Sequence, residues 1–221
     1  MKILTNNIAV LARDSHISSW IEQEGRLCHD KCVGLFILPL IPVGGTVVDG
    51  GAFIGDHTIA YLEKVGPTGR VLAFEPNPDA MECLQHNCPR AEFHLNALGR
   101  TYERSKLEIH ENAVASRLAP IGTADVFVMP LDAIKFDRLD FIKLDLEGSE
   151  VAALQGAAKT IAQHRPVMVI EMCDGHLQRQ GSSAEKLQTL LTSWGYRYRS
   201  LNPGLNMDEP QLDLLCEPEK K

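Results

Sequence analysis

Acidic side chains and glycines sit where this sequence turns from apolar to polar. Asp49 closes the run Thr46-Val47-Val48 and is followed by Gly50, Gly51 and Gly55. Glycine at such a point lets the backbone approach a bound molecule and adopt φ/ψ values closed to other residues. Glu75 closes a second apolar run 26 residues after Asp49, near the roughly 20-residue offset at which a carboxylate meets ribose hydroxyls in nucleoside-binding α/β folds. One carboxylate there accepts two O–H bonds. Asp145, Glu147 and Glu171 end or follow two further runs; converging above a sheet, they would supply a general base or orient a hydroxyl. The same three carboxylates could hold a hard cation, since such ions take oxygen ligands.

The turn reads D-x-G-x-x-x-G from Asp49 to Gly55. It is not the G-x-G-x-x-G spacing that seats a pyrophosphate against a helix N-terminus, and it lacks the Lys and Ser/Thr of a P-loop. A ligand with ribose and adenine but no phosphate fits that pattern, and S-adenosylmethionine is such a ligand. Its cationic sulfonium suits a site supplied with Asp49, Asp56 and Asp145. A glycine turn also serves simply to pack a helix on a strand. Glu75, with the Pro76-Asn77-Pro78 helix start behind it, moves the reading toward ribose recognition.

These residues need a scaffold, and the pattern around them supplies one. Thr46–Asp49, Arg70–Glu75, Ala91–Asn96, Asp140–Asp145 and Val167–Met172 are mostly apolar along their length, as strands covered on both faces are. They alternate with helical stretches, which predicts an α/β chain with a doubly wound parallel sheet. Asn77 caps a helix with Pro78 at its first position, and Pro89 limits it to about Asn87. Val151, Leu154, Ala158 and Ile161 form one apolar stripe on a helix after Asp145. Ser182 and Glu185 predict a capping box for a helix running to Trp194, with Gly195 as its stop. Tyr196–Leu201 and Gln211–Cys216 then return as an antiparallel hairpin, bringing the strands to seven. Residues 100–138 form a long connection with strand-like pieces at Lys106–His110 and Asp125–Met129. Residues 1–43 are expected to form an N-terminal cap with a strand near Ile8–Leu11, ahead of a main domain over 44–221.

Composition narrows the classes further. The chain has 221 residues, 44% of them hydrophobic, enough for a substantial core. Its 22 Lys+Arg against 29 Asp+Glu give a net charge of −7, which disfavours a nucleic-acid partner. The longest apolar stretch, Val33–Val43, is broken by Pro39 and Pro42 and falls short of the roughly 20 residues of a membrane span. No secretory core is evident before Arg13-Asp14, so the default compartment is the cytoplasm. The six cysteines are read as free thiols. Cys28-His29-x2-Cys32 and Cys83-x2-His86-x-Cys88 do not match paired zinc half-sites, and no metal is assigned.

Several segments resemble the FkbM-type S-adenosylmethionine-dependent methyltransferases. They are Val47–Thr58, Val71–Asn77, Asn96-Ala97-Leu98-Gly99 and above all Phe141-Ile142-Lys143-Leu144-Asp145-Leu146-Glu147-Gly148-Ser149-Glu150. The similarity spans roughly residues 44–216. It implies a Rossmann-like, seven-stranded, mostly parallel sheet with an antiparallel C-terminal hairpin strand. It also implies that Asp49, Gly51 and Gly55 line the methionine end of the cofactor and that Glu75 takes the ribose hydroxyls. Asn96 and Ala97 would lie near the adenine and Asp145 would face the methyl-transfer region, with Gly50, Asp56, Thr58 and Pro76 completing the cofactor set. The family acts mainly on hydroxyls of sugars and natural products. This chain departs from it at Phe53, where Asn is usual, and at Asp56-His57, which replaces an aromatic pair.

Methyl transfer requires an acceptor aligned with the methyl group, and a hydroxyl acceptor gains from a general base. Asp145 is the expected cofactor-facing residue, with Glu147 or Glu171 as base; Glu150 is read as opening the following helix, where its charge suits the dipole. His16, Trp20, His29 and Asp30 would line an acceptor pocket if the cap folds over the crevice. Trp194 and Tyr196 are read as packing residues. The acceptor, a small molecule or saccharide, is left to residues 1–43 and 100–138, which carry no motif. A nicotinamide-dependent oxidoreductase, or a non-catalytic cofactor-binding protein on the same fold, would share the strand, the turn and the ribose acid.

Overall fold

A computed structural model describes residues 1–12, 14–28, 33–109, 116–119, 121–201 and 211–219. The chain starts with a small antiparallel pair, β1 (Lys2–Ile3) and β2 (Ala9–Val10), and the short helix α1 (Ile17–Glu24). The strand expected near Ile8–Leu11 is therefore Ala9–Val10. His29, Asp30 and Cys32 lie outside the described residues.

The apolar runs become β3 (Thr46–Gly50), β4 (Arg70–Phe74), β5 (Glu92–His94), β10 (Phe141–Leu144) and β11 (Val167–Cys173), all parallel. Helices α2 (Thr58–Val65) and α3 (Pro78–Asn87) connect the first three. Asn77 Oδ1 accepts the Asp79 N–H at 3.1 Å as the cap of α3. Between β5 and β10 run β6 (Ala97–Leu98), β7 (Glu103–Glu108), β8 (Arg117–Ala119) and β9 (Ala124–Met129), which form a separate four-stranded sheet in the order β6-β9-β7-β8. The two strand-like pieces of the long connection are thus its β7 and β9; His110, placed at the end of the first, lies outside the described residues.

After β10 the expected single helix is two, α4 (Glu150–Gln155) and α5 (Ala158–His164). Gly156 separates them, and a side chain there would collide with the Gly99 carbonyl, so the break lets this face approach the chain leaving β6. Next come α6 (Asp174–Arg179), α7 (Ala184–Ser193), β12 (Tyr196–Ser200) and β13 (Gln211–Pro218). The α7 cap is Ser183, one residue beyond the expected Ser182; its Oγ accepts the Lys186 N–H. The central sheet has the order β12-β13-β11-β10-β3-β4-β5, with β13 antiparallel to both neighbours.

Strand residues alternate between two cores. Val47, Val71, Ala73, Phe141 and Val169 meet α2, α3 and N-terminal residues such as Ile21 and Ile37. Val48, Leu72, Phe74, Ile142, Met168 and Ile170 meet α4, α5 and α7. Burial on both faces, worth about 1.5–3 kcal/mol per large apolar side chain, explains why these strands read as continuous apolar runs. It also holds the carboxyl ends of β3, β4, β10 and β11 in one row, where ligands bind in open α/β sheets. No helix among the described residues is long and apolar enough to cross a membrane.

Candidate active site

At the end of β3 the chain turns under β10. Gly51 has φ +77°, and a Cβ on it would run into the Asp145 backbone carbonyl, so only glycine lets the two strand ends come this close. Phe53 follows at φ +47°, a left-handed conformation that suits Asn far better than Phe. Its backbone N–H donates to Glu75 Oε2 at 2.9 Å, while Glu75 Oε1 accepts the Asn77 N–H at 2.7 Å. The link between the glycine turn and the acid is therefore made by backbone, and the Phe53 side chain does not break it. Each carboxylate oxygen keeps a further lone pair. Burial pushes Glu75 up to about 7, with the two N–H groups opposing.

Beneath the turn, Asp49 is fully buried; its Oδ2 accepts the Thr58 hydroxyl at 2.6 Å and its Oδ1 has no hydrogen-bond partner. Burial raises its pKa, and Lys143 works in the other direction. Lys143 is paired in register with Asp49 across β3 and β10, and its Nζ lies 3.2 Å from Asp145 Oδ2. Burial works against this ammonium, but Asp145, Asp49 and Asp56 outweigh it and raise its pKa. The cation thus holds together the carboxylates that end β3 and β10.

The next turn brings Glu147, Glu171 and His176 to one spot. Glu147 has φ +54°, and Glu150 Oε1 ties that turn by accepting the Leu146 and Gly148 N–H groups at 2.7 and 3.2 Å. His176 Nδ1, from α6, lies 3.0 Å from Glu147 Oε2 and 3.8 Å from Glu171 Oε2, yet is aligned for a hydrogen bond to neither. Burial, then Asp145 and Glu150, push Glu147 up to about 7, while Arg117 and Arg179 partly restrain it. Burial, then Asp145 and Glu147, push Glu171 up to about 9. Burial and Arg179 lower His176.

Over this row opens a cleft of 510 Å³. Of the residues proposed from sequence, Gly51, Asp56, Glu75, Pro76, Asn96, Ala97, Asp145 and Glu147 line it. Asp49, Gly50, Gly55 and Thr58 are not on its surface; they shape the turn from below. Glu171 borders a second, smaller cavity. Both sequence segments left for the acceptor reach the cleft, through Ile17 and Trp20 of α1 and through Ser116, Arg117 and Leu118 at β8. The His16 and Trp20 rings meet at a tilt of 41°, with centroids 4.6 Å apart. Lys143, His57, Arg117 and His176 received no role from the sequence. A lysine inside an apolar strand was itself a signal, because lysine is almost never buried unless paired; His176 has no such mark.

The residues present fit a phosphate-free nucleoside that carries a positive charge. Glu75 has acceptor capacity for two hydroxyls, Gly51 leaves the turn bare, and Asp56 and Asp145 border the same cleft. The profile of the Methyltransferase FkbM domain matches residues 49–198. The chain belongs to the FkbM methyltransferase family. This FkbM methyltransferase is 26% identical over 200 residues to Methyltransferase 1 of Beauveria bassiana (strain ARSEF 2860), covering 76% of this chain and 77% of that one. Among solved structures it is similar to methyltransferase FkbM from Methylobacillus flagellatus KT, with a TM-score of 0.53 and 24% identity over 78% of this chain. It spans only 43% of that larger chain. The O-methyltransferase from Bacillus cereus, solved in complex with SAH, shares the fold with a TM-score of 0.54 at 14% identity, over 96% of this chain and 93% of that one.

Proposed function

We propose that this FkbM methyltransferase uses S-adenosylmethionine to methylate oxygen, at a hydroxyl of a sugar or other small molecule. The observation that carries the reading is Glu75 on the wall of the cleft, its two oxygens each held by one backbone N–H and each able to accept one more bond. Bound there, S-adenosylmethionine would supply an electrophilic methyl group on a cationic sulfur. The structurally similar O-methyltransferase from Bacillus cereus, solved in complex with SAH, supports the choice.

In this reading Glu75 receives the ribose hydroxyls, and Asn96 and Ala97 flank the adenine. Pro76 fixes the chain between Glu75 and α3. Gly51 gives the methionine end room, with Gly50 and Gly55 setting the turn and the Asp49–Thr58 hydrogen bond bracing it from below. Asp56 and Asp145 place negative charge beside the cationic sulfur. Glu147 takes the acceptor proton: it lines the cleft, and a carboxyl group pushed up to about 7 is matched to proton transfer near neutral pH. Glu171 is set apart from the cofactor cleft and is assigned to the acceptor side.

The test is S-adenosylhomocysteine formation by the purified protein across sugars, glycolipid precursors, small phenols, carboxylic acids and nucleotides, with and without magnesium. Product with hydroxylated acceptors is expected. Binding of S-adenosylmethionine with no product from any of them would instead favour a non-catalytic cofactor-binding protein.

A further inference from the structure

Beside the cofactor cleft lies the second cavity, of 330 Å³, at the carboxyl ends of β10 and β11 and the start of β13. His57, Lys143 and Asp145 border both cavities, so the two are neighbours across the Lys143–Asp145 ion pair. The remaining wall has two characters. Among the described residues, Ile37, Val169, Leu201 and Leu212 supply apolar surface, and Glu171, Gln211 and Asp213 supply polar surface.

Glu171 and Asp213 are direct partners in the antiparallel β11–β13 register, where two ionised carboxylates would repel one another. Gln211 Nε2 donates to Glu171 Oε1 at 2.6 Å, which fixes that carboxyl group, and the Glu171 side chain is only 9% exposed. Lys143 does not make the cavity cationic, because Asp145, Asp49 and Asp56 surround its ammonium. Burial first, and then the negative charge of Asp145, Glu147 and Glu150, make Glu171 ionise reluctantly. Carboxyl groups and an amide oxygen in such a wall hydrogen-bond hydroxyls, and the apolar residues suit the carbon face of a compact ring or chain. A phosphate or carboxylate in the same place would meet the charges of Asp145 and Asp213 beside the buried Glu171 carboxyl group. The volume is at the small end of the roughly 300–1,000 Å³ of ligand pockets.

We infer that this second cavity is the acceptor subsite and that it takes a compact, uncharged polyhydroxyl group while excluding phosphorylated and carboxylated acceptors. The inference rests on the larger cleft being the S-adenosylmethionine site. It places the acceptor against Asp145, at the boundary of the two cavities, and gives Glu171 and Gln211 the task of holding hydroxyls other than the one methylated.

Matched acceptors test it: glycerol with glycerate and glycerol phosphate, and glucose with glucuronate and glucose 6-phosphate. Each is scored by S-adenosylhomocysteine formed, with S-adenosylmethionine affinity measured by calorimetry in parallel. Neutral members are expected to exceed their anionic partners by at least about tenfold in kcat/KM. Faster turnover of the acids or phosphates, or no turnover of either neutral member by protein that binds S-adenosylmethionine, would overturn the proposal. Failure to bind S-adenosylmethionine would instead remove the reading on which it rests, and the proposal with it. In a second arm, Gln211→Trp fills the cavity from its exposed rim. Turnover of neutral acceptors should fall by about tenfold or more with cofactor affinity and melting temperature held; unchanged turnover would contradict the assignment.

Discussion

Each oxygen of Glu75 accepts one backbone N–H and, in the proposed complex, one ribose hydroxyl. Glu75→Ala should therefore weaken S-adenosylmethionine binding by about 1.5–3 kcal/mol, the range for hydrogen bonds to a charged group, or roughly 10- to 100-fold in Kd. Calorimetry on the folded variant would show it, and unchanged affinity would remove Glu75 from the site. Glu147→Gln should leave that affinity intact and slow turnover. If Glu147 is the base, turnover of the parent enzyme rises with pH through about 7. Arg117 holds Glu147 down, so Arg117→Ala should move the acid limb of the rate profile to higher pH; a limb that stays in place would assign the base elsewhere. Asp49, Glu75 and Asp145 were legible in the sequence because strand ends are marked by apolar runs. Lys143 was marked only as a lysine inside an apolar strand, its role resting on the β3–β10 register, and His176 was not marked at all, since its place comes from α6 packing back on the Glu147 turn.

At the scale of elements, the glycine turn is the part least able to absorb change. Gly51→Ala would force a Cβ into the Asp145 carbonyl at φ +77°, driving β3 and β10 apart where Asp49, Lys143 and Asp145 converge. A loss of more than about 2 kcal/mol in denaturant unfolding, with cofactor binding abolished, is expected; near-wild-type stability would mean the strand ends are not in this contact. The central sheet was readable because strands buried on both faces are apolar throughout. The second sheet was only half readable: β7 and β9 stood out, whereas Arg117–Ala119 and Ala97–Leu98 are too short to carry a period. The single apolar stripe over residues 151–161 concealed the break at Gly156, whose cause is the Gly99 backbone, far away in sequence.

For the molecule as a whole, the buried acids link stability to pH. Burial raises Glu75, Glu147 and Glu150 to about 7 and Glu171 to about 9, so the folded state binds more protons than the unfolded chain. Their contribution is complete below the ordinary glutamate value and is lost as pH rises through the folded values. His94 and His176, both lowered, act in the opposite sense only below about 6.5. The melting temperature should accordingly fall by a few degrees, at about 2–4 °C per kcal/mol for a chain of this size, between about pH 7 and 9. Glu171→Gln should flatten that fall, and a melting temperature that rises over the interval would contradict the burial assigned to Glu171.

The central claim is that the cleft between β3 and β4 recognises a nucleoside joined to a positively charged sulfur and not a dinucleotide. Parallel calorimetric titrations of the intact protein with S-adenosylmethionine and with NAD test it most directly. Saturable binding of S-adenosylmethionine, weakened in Glu75→Ala, and no heat from NAD is the expected result. Binding of NAD, or no binding of S-adenosylmethionine, would contradict it.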